Sequence, residues 1–145
     1  MNFFSEILSN EILLISMFSC FFAQFIKIFT GDEKRIQLSR IFSSGGMPSS
    51  HSSFVTTLTT LVGIDKGFDS TEFAIAAVFS LIVMYDASGV RRAVGKQAAI
   101  LNQILDDVHH GKRIQQEKLK ELVGHTPKEV ISGAILGVII ALVMV

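Results

Sequence analysis

The sequence predicts an all-α fold, an integral membrane helical bundle of about four membrane helices plus a cytoplasmic or interfacial helix. The chain has 145 residues, of which 49% are hydrophobic and only 18% are charged. A soluble domain usually carries about 25% charged residues. The charged residues are also clustered in residues 31–40, 86–96 and 106–129. Long apolar tracts lie between these clusters. This distribution is typical of a membrane protein, and the length predicts a single domain over residues 1–145.

The first two apolar tracts cover residues 12–29 and 52–64. As a helix, the first spans roughly 27 Å, which is close to the thickness of a bilayer core. The second is rich in threonine and spans only about 20 Å. It is therefore tilted, packed inside the bundle, or incompletely spanning. The segment before the first tract holds no Lys or Arg, so we do not expect a secretory signal there.

The third tract, residues 72–85, is followed without a helix breaker by a charged stretch in which apolar residues recur every three or four positions as far as Val108. This pattern predicts a long helix that leaves the membrane, or an interfacial helix joined to it. A further short helix is predicted over residues 112–122. The fourth tract, residues 130–145, carries Gly133 and Gly137, whose spacing favours close helix packing within the chain or between subunits.

The basic residues predict the orientation of the chain. Residues 30–51 and 86–128 hold 11 of the 13 Lys and Arg residues. Cytoplasmic loops of membrane proteins are enriched in these residues. We therefore expect both segments in the cytoplasm, at the inner (plasma) membrane of a bacterial-type cell. The formal net charge is zero, and no basic patch interleaved with aromatics appears, so no nucleic-acid partner is expected.

Two histidines occupy equivalent positions, each just before an apolar helix. His51 ends the segment Gly-Gly-Met-Pro-Ser-Ser-His, and His125 begins His-Thr-Pro-Lys-Glu. Helix N-termini attract anions through unpaired N–H groups and the helix dipole. Two such termini with a histidine each could provide a phosphate site with a nucleophile and a general acid. The alternative is structural: Thr126 to Glu129 is also a capping box, and Ser49 or Ser50 is also a helix N-cap.

These motifs resemble those of the phosphatidic acid phosphatase type 2 and vanadium-dependent haloperoxidase superfamily. Pro-Ser-Ser-His, ending at His51, is similar to the superfamily's Pro-Ser-Gly-His motif. The segment from Gly124 to Gly137 is similar to its last motif, in which a carboxylate follows the histidine by four residues. The stretch Tyr-Asp-Ala-Ser-Gly-Val-Arg-Arg, residues 85–92, resembles the divergent, compact branch of the superfamily. The resemblance covers roughly residues 12–145.

The resemblance implies a catalytic role for three residues. His125 is the nucleophile that forms a phosphohistidine, Glu129 orients its imidazole, and His51 protonates the leaving alkoxide. The resemblance also implies that phosphate oxygens are bound by basic and hydroxyl side chains, namely Lys27, Arg35 (or Arg40), Ser49, Ser50, Arg91 and Arg92. Neither a metal nor another cofactor is implied.

The chain departs from the superfamily pattern in its basic residues. Seven residues separate Lys27 from Arg35, one more than the first motif has, and no Pro follows. The last motif has an Arg six residues before its histidine, where this chain has Leu119. Arg91 or Arg92 is the candidate that supplies this charge.

The predicted function is a metal-independent membrane phosphatase that acts on the phosphomonoester or diphosphate of a lipid, such as phosphatidate, phosphatidylglycerophosphate or a prenyl phosphate. Two alternatives stay open. One is a non-catalytic membrane protein that binds lipid phosphates or other anions on a degenerate phosphatase scaffold. The other is a structural or transport subunit assembled through Gly133 and Gly137. A homo-oligomer through this glycine face is also expected.

Overall fold

The computed structural model describes residues 2–30, 46–108 and 124–145, with only the backbone described for residues 91, 92 and 106–108. These ranges form six helices and contain no strand, so the all-α prediction is confirmed. The helices are α1 (Phe3–Leu8), α2 (Glu11–Lys27), α3 (Ser50–Lys66), α4 (Thr71–Ser88), α5 (Val90–Val108) and α6 (Pro127–Met144).

Helix α3 lies at the centre of the bundle and packs against α2, α4 and α6. Two backbone hydrogen bonds define the end at which both histidines lie. The N–H of Ser49, before α3, donates to the carbonyl of Glu129 in the first turn of α6 at 3.0 Å. The N–H of His125, before α6, donates to the carbonyl of Ala87 in the last turn of α4 at 2.8 Å. The N-termini of α3 and α6 and the C-terminus of α4 therefore meet at one end.

Side-chain caps explain why the helices begin where they do. The oxygens of Asn10, Ser49 and Ser70 accept hydrogen bonds from backbone N–H groups in the first turns of α2, α3 and α4. Thr126 and Glu129 form a complete capping box at the start of α6, with Pro127 in the first turn. Each cap satisfies a backbone donor that the helix leaves unpaired. The capping predicted for the second and fourth apolar tracts is confirmed.

Hydroxyl groups on α3 join it to its neighbours. Seven of its 17 residues are Ser or Thr. Ser53 Oγ shares a 2.6 Å hydrogen bond with Ser19 Oγ of α2. Thr57 Oγ1 lies 2.8 Å from Ser19 Oγ and 3.0 Å from the carbonyl oxygen of Gly137 in α6. On another side, Thr59 Oγ1 lies 2.6 Å from Ser80 Oγ of α4. The polar character of the second tract therefore reflects its packing inside the bundle.

The glycines of α6 pack against α3 within the chain. A Cβ atom built on Gly133 would lie 2.2 Å from the carbonyl oxygen of Ser49, and one on Gly137 would lie 2.4 Å from that of Ser53. Only a glycine allows this backbone approach. Of the two uses predicted for this face, the structure shows the one within the chain. The face is already occupied and is not available to a second subunit. A homo-oligomer stays a prediction, and it would need another surface.

The third apolar tract does not continue as one helix. Helix α4 ends at Ser88, and α5 begins after Gly89. Among the helices of the structure, α5 contacts only α4. Of the two arrangements predicted for this region, a separate helix joined to the third tract is therefore observed. The short helix α1 was not predicted, and the helix predicted over residues 112–122 lies outside the described residues.

Length and composition allow two segments of the described chain to cross a membrane, one within Thr71–Leu105 and the other Pro127–Met144. Helices α2 and α3 have 17 residues each. Large apolar side chains cover the outer surface of the bundle and include Phe21, Ile75 and Ile135, which are 67%, 66% and 57% exposed. These observations are consistent with a membrane location. The crossing by all four helices stays a prediction.

Candidate active site

His125 lies in a turn that two features hold in place. Gly124 before it has a φ of 102°, a conformation that glycine adopts without strain. Thr126 after it is the N-cap of α6. The His125 backbone is also tied to α4 through Ala87. As a result, the imidazole is only 2% exposed and points into the end of the bundle.

Glu129 contacts the ring of His125, as the resemblance implies. Its Oε2 atom lies 3.0 Å from His125 Nδ1, and its side chain is 20% exposed. The same oxygen accepts a hydrogen bond from the N–H of Thr126 at 3.3 Å. A carboxylate at this distance favours the tautomer with the proton on Nδ1, which places the lone pair on Nε2. The two interpretations of Glu129, as a helix cap and as a partner of the histidine, therefore hold at once.

His51 lies in the first turn of α3, and its side chain is exposed. The centroids of the His51 and His125 rings are 6.3 Å apart, and the ring planes are inclined by 61°. A single phosphoryl group can contact two rings at this separation. The two histidines predicted to act together are therefore neighbours, with His125 buried and His51 facing outward.

Ser49 and Ser50 are fully buried at the start of α3. Ser49 Oγ accepts a hydrogen bond from the N–H of Ser52 at 3.3 Å and another from the hydroxyl of Ser52 at 3.0 Å. Ser49 therefore acts as the N-cap of α3, which was the structural alternative for this residue. Ser50 is the first residue of the helix and lies next to His51.

Lys27 ends α2 and is only 4% exposed, although its side chain is charged. Its Cδ atom lies 3.9 Å from the position that a Cβ atom would take on Gly46, in the loop that leads to His51. Its ammonium group interacts electrostatically with Glu129. The hydroxyl of Thr30 donates a hydrogen bond to the carbonyl of Met47 in the same loop. The end of α2 therefore contributes a buried positive charge to the region of the histidines.

Three predicted phosphate-binding residues lie outside what the structure describes in atomic detail. Arg35 falls between residues 31 and 45, as does its alternative Arg40. Arg91 and Arg92 lie in the first turn of α5, with only their backbone described. The assignment of these arginines stays a prediction.

The sequence did not reveal two parts of this site. The carbonyl of Ala87 fixes the backbone of His125, and the cis Met47–Pro48 peptide shapes the loop before His51. The carbonyl has no recognisable pattern because every residue supplies one, and Pro48 permits either peptide isomer without specifying which. Within the described ranges, no group of three His, Cys, Asp or Glu side chains could hold a metal ion.

Known proteins are similar to this chain over most of its length. The family model described as "Divergent PAP2 family" matches residues 8–140. The chain is also similar to the uncharacterized membrane protein YuiD of Bacillus subtilis (strain 168). The two are 41% identical over 153 aligned positions, which cover 96% of each chain. No solved structure matches the chain.

Proposed function

Because this chain belongs to the divergent PAP2 family, we propose that it is a membrane phosphatase that removes phosphate from a lipid through a phosphohistidine at His125. The observation that carries the proposal is the pairing of two imidazoles from distant parts of the chain, with ring centroids 6.3 Å apart. The buried ring is hydrogen bonded to a carboxylate, as the nucleophile or base of a catalytic triad usually is.

The first step forms a bond between His125 Nε2 and phosphorus and breaks the bond between phosphorus and the lipid oxygen. The leaving alkoxide takes a proton from His51. Glu129 stabilises the positive charge that develops on the His125 ring, since its carboxylate lies 3.0 Å from Nδ1. In the second step, His51 accepts a proton from water, the resulting hydroxide attacks phosphorus, and inorganic phosphate leaves His125. Both histidines return to their starting states.

The charge on the phosphate is compensated by the surrounding helices. The N-termini of α3 and α6 both lie at this end of the bundle, and each contributes partial positive charge. Lys27 places an amino group at the same end, where it is shielded from water. Electrostatic stabilisation by such fixed groups is stronger at a site from which water is excluded.

A lipid substrate fits the location of the site. The histidines lie at one end of a bundle whose outer surface is covered with exposed apolar side chains. At this end, a phosphate can reach the histidines while the carbon chain of the same molecule stays in the bilayer. This is the arrangement of a phosphorylated lipid. The proposed substrates are phosphatidate, phosphatidylglycerophosphate and prenyl phosphates.

The test is phosphate release by purified protein from a panel of these lipids, with His125→Ala as the control. We expect release from at least one lipid by the unaltered protein and loss of that release in the variant. Protein denatured at alkaline pH during the reaction should contain a phosphoramidate, which is stable in base and which ³¹P NMR distinguishes from a phosphoester.

The same panel separates the enzyme from a non-catalytic lipid-phosphate binder on the same scaffold. A protein that binds vesicles containing a phosphorylated lipid, without any release of phosphate, would support the binder. Release that persists unchanged in His125→Ala would refute the phosphohistidine.

A further inference from the structure

Helix α5 carries an apolar stripe that is about half exposed and that no other helix of the described ranges covers. Val90, Val94, Leu101 and Ile104 recur at helical spacing, and between 48% and 53% of each is exposed. Gln97 is the polar residue among them and is uncharged. Lys96 and Gln103 lie toward the opposite side and are exposed.

One side of α5 faces the protein. Ala98 and Asn102, which lie beside the apolar stripe at helical spacing, are only 8% and 3% exposed. The helix therefore has a protein-facing side, an exposed apolar side and a polar side. A helix in water would not keep four large apolar residues half exposed along one line, because each buried aliphatic side chain is favourable.

The connection to α4 indicates what covers this stripe. Only Gly89 separates α5 from α4, which is apolar enough to cross a membrane. The exposed apolar surface continues across this junction, from Ile82 and Tyr85 in α4 to Val90 in α5, with exposures of 62%, 74% and 53%. A helix with one apolar face, one polar face and little overall hydrophobicity is typical of the boundary between lipid head groups and acyl chains.

The same junction is connected to His125. The carbonyl of Ala87, two residues before Gly89, accepts the hydrogen bond from the His125 N–H at 2.8 Å. Ala87 is 4% exposed, so this contact lies inside the protein. The last turn of α4 therefore fixes the backbone of the proposed nucleophile on one side and leads into α5 on the other.

We propose that α5 rests its apolar stripe in the head-group boundary of the bilayer and thereby sets the depth of His125 at the plane of the lipid phosphates. The docking of α5 stands on its exposed apolar face and on the continuity of that face with α4. The effect on His125 rests on the proposed function. Docking at this depth favours a phosphate that is attached to a bilayer lipid over one that is free in solution.

The docking test places a fluorophore on each side of α5. Cys20, the only cysteine, is replaced by Ser, and Val94→Cys or Gln103→Cys is labelled with an environment-sensitive dye. The protein is reconstituted into phosphatidylcholine and phosphatidylglycerol vesicles that carry a nitroxide near the head group or near the chain end. We expect a blue-shifted dye at position 94, quenched more by the shallow nitroxide, and little quenching at position 103.

Two results would overturn the docking. Equal water exposure at positions 94 and 103 would mean that the stripe does not contact lipid. Stronger quenching at position 94 by the deep nitroxide would mean that α5 crosses the bilayer instead of lying at its surface.

The effect on His125 is tested with Leu101→Asp, compared with Gln103→Asp. We expect Leu101→Asp to lower phosphate release from a vesicle lipid about tenfold, which corresponds to the loss of one buried leucine side chain. Hydrolysis of a soluble aryl phosphate in detergent should be unchanged. Equal loss on both substrates, or equal loss in the two variants, would refute a role for docking.

If the unaltered protein hydrolyses neither substrate, the proposed function fails while the quenching result still decides the docking.

Discussion

Glu129 serves the fold and the proposed chemistry through a single oxygen. Its Oε2 atom contacts both the Thr126 N–H and His125 Nδ1. Capping requires only an acceptor, which Gln also provides, whereas stabilising a charged imidazole requires a carboxylate. The two roles are therefore separable by substitution.

Replacing Glu129 by Gln is expected to lower phosphate release about 10²- to 10⁴-fold, because the charge that stabilises the imidazolium is removed. The stability of the protein should change by less than about 1 kcal/mol, since the capping box is retained. Phosphate release and thermal unfolding in detergent measure the two effects. A loss of stability that parallels the loss of activity would show that Glu129 acts only as a cap.

Replacing His51 by Gln separates its role from that of His125. A lipid alkoxide needs a proton as it leaves, whereas p-nitrophenolate does not. We expect release from a lipid phosphate to fall about 10²- to 10⁴-fold. With p-nitrophenyl phosphate, a burst of nitrophenolate should remain and the phosphohistidine should accumulate, because its hydrolysis lacks a base. A burst that is lost to the same extent as lipid turnover would contradict a role for His51 as the acid.

For the individual residues of the site, the sequence predicted which side chains belong to it better than it predicted the contacts around them. His51 and His125 could be selected from residue type and position at a helix start, whereas the role of Glu129 beside His125 was implied by the resemblance to the superfamily. The hydrogen bond to the Ala87 carbonyl could not be predicted, since any residue supplies a carbonyl.

Helices α3 and α6 pack closely, and the site lies at one end of their contact. Gly133 lies against the Ser49 carbonyl, in the same region where the Ser49 N–H bonds to Glu129. The spacing of the two helices therefore determines whether the two histidine-bearing N-termini stay together.

Replacing Gly133 by Ala should destabilise the protein by about 1–3 kcal/mol, because the new methyl group would overlap backbone atoms that cannot move independently. Thermal unfolding in detergent measures this. Ile135→Ala is a matched control, since Ile135 lies on the same helix and is 57% exposed. Equal unfolding temperatures for Gly133→Ala and the unaltered protein would contradict the packing described for α6.

Helix positions were predictable where a cap or a continuous apolar tract defined them, as for α6 at Thr126. The sequence left open whether the helix breaks after the third tract, because the apolar spacing continues across Gly89 and a single glycine within a helical pattern is often tolerated. The hydrogen-bond partners of Ser19 and Thr57 could not be predicted either, because a hydroxyl on one helix does not specify which neighbouring helix it contacts.

The whole molecule has two unlike ends. The histidines, Lys27 and the junction of α4 with α5 lie at one end, and the turn around Gly67 joins α3 to α4 at the other. Most of the Lys and Arg residues belong to segments that the sequence places at the histidine end. The positive-inside rule therefore predicts that this end faces the cytoplasm.

Single cysteines test this orientation. In a Cys20→Ser background, Asp69→Cys and Lys128→Cys each introduce a thiol at an exposed position. A membrane-impermeant maleimide should label position 69 in intact cells and position 128 only after lysis. The reverse pattern would place the site outside the cell, and labelling of both positions in intact cells would contradict the predicted crossings.

The hydroxyl-rich surface of α3 affects how the chain is inserted into a membrane. Partition from the translocon into lipid depends on apolar side chains, and Ser and Thr contribute little to it. With seven hydroxyl residues in 17, α3 makes its hydrogen bonds to Ser19 and Ser80 only after the neighbouring helices are in place. We therefore expect α3 to leave the insertion machinery together with α4, as a helical hairpin whose second arm supplies most of the driving force.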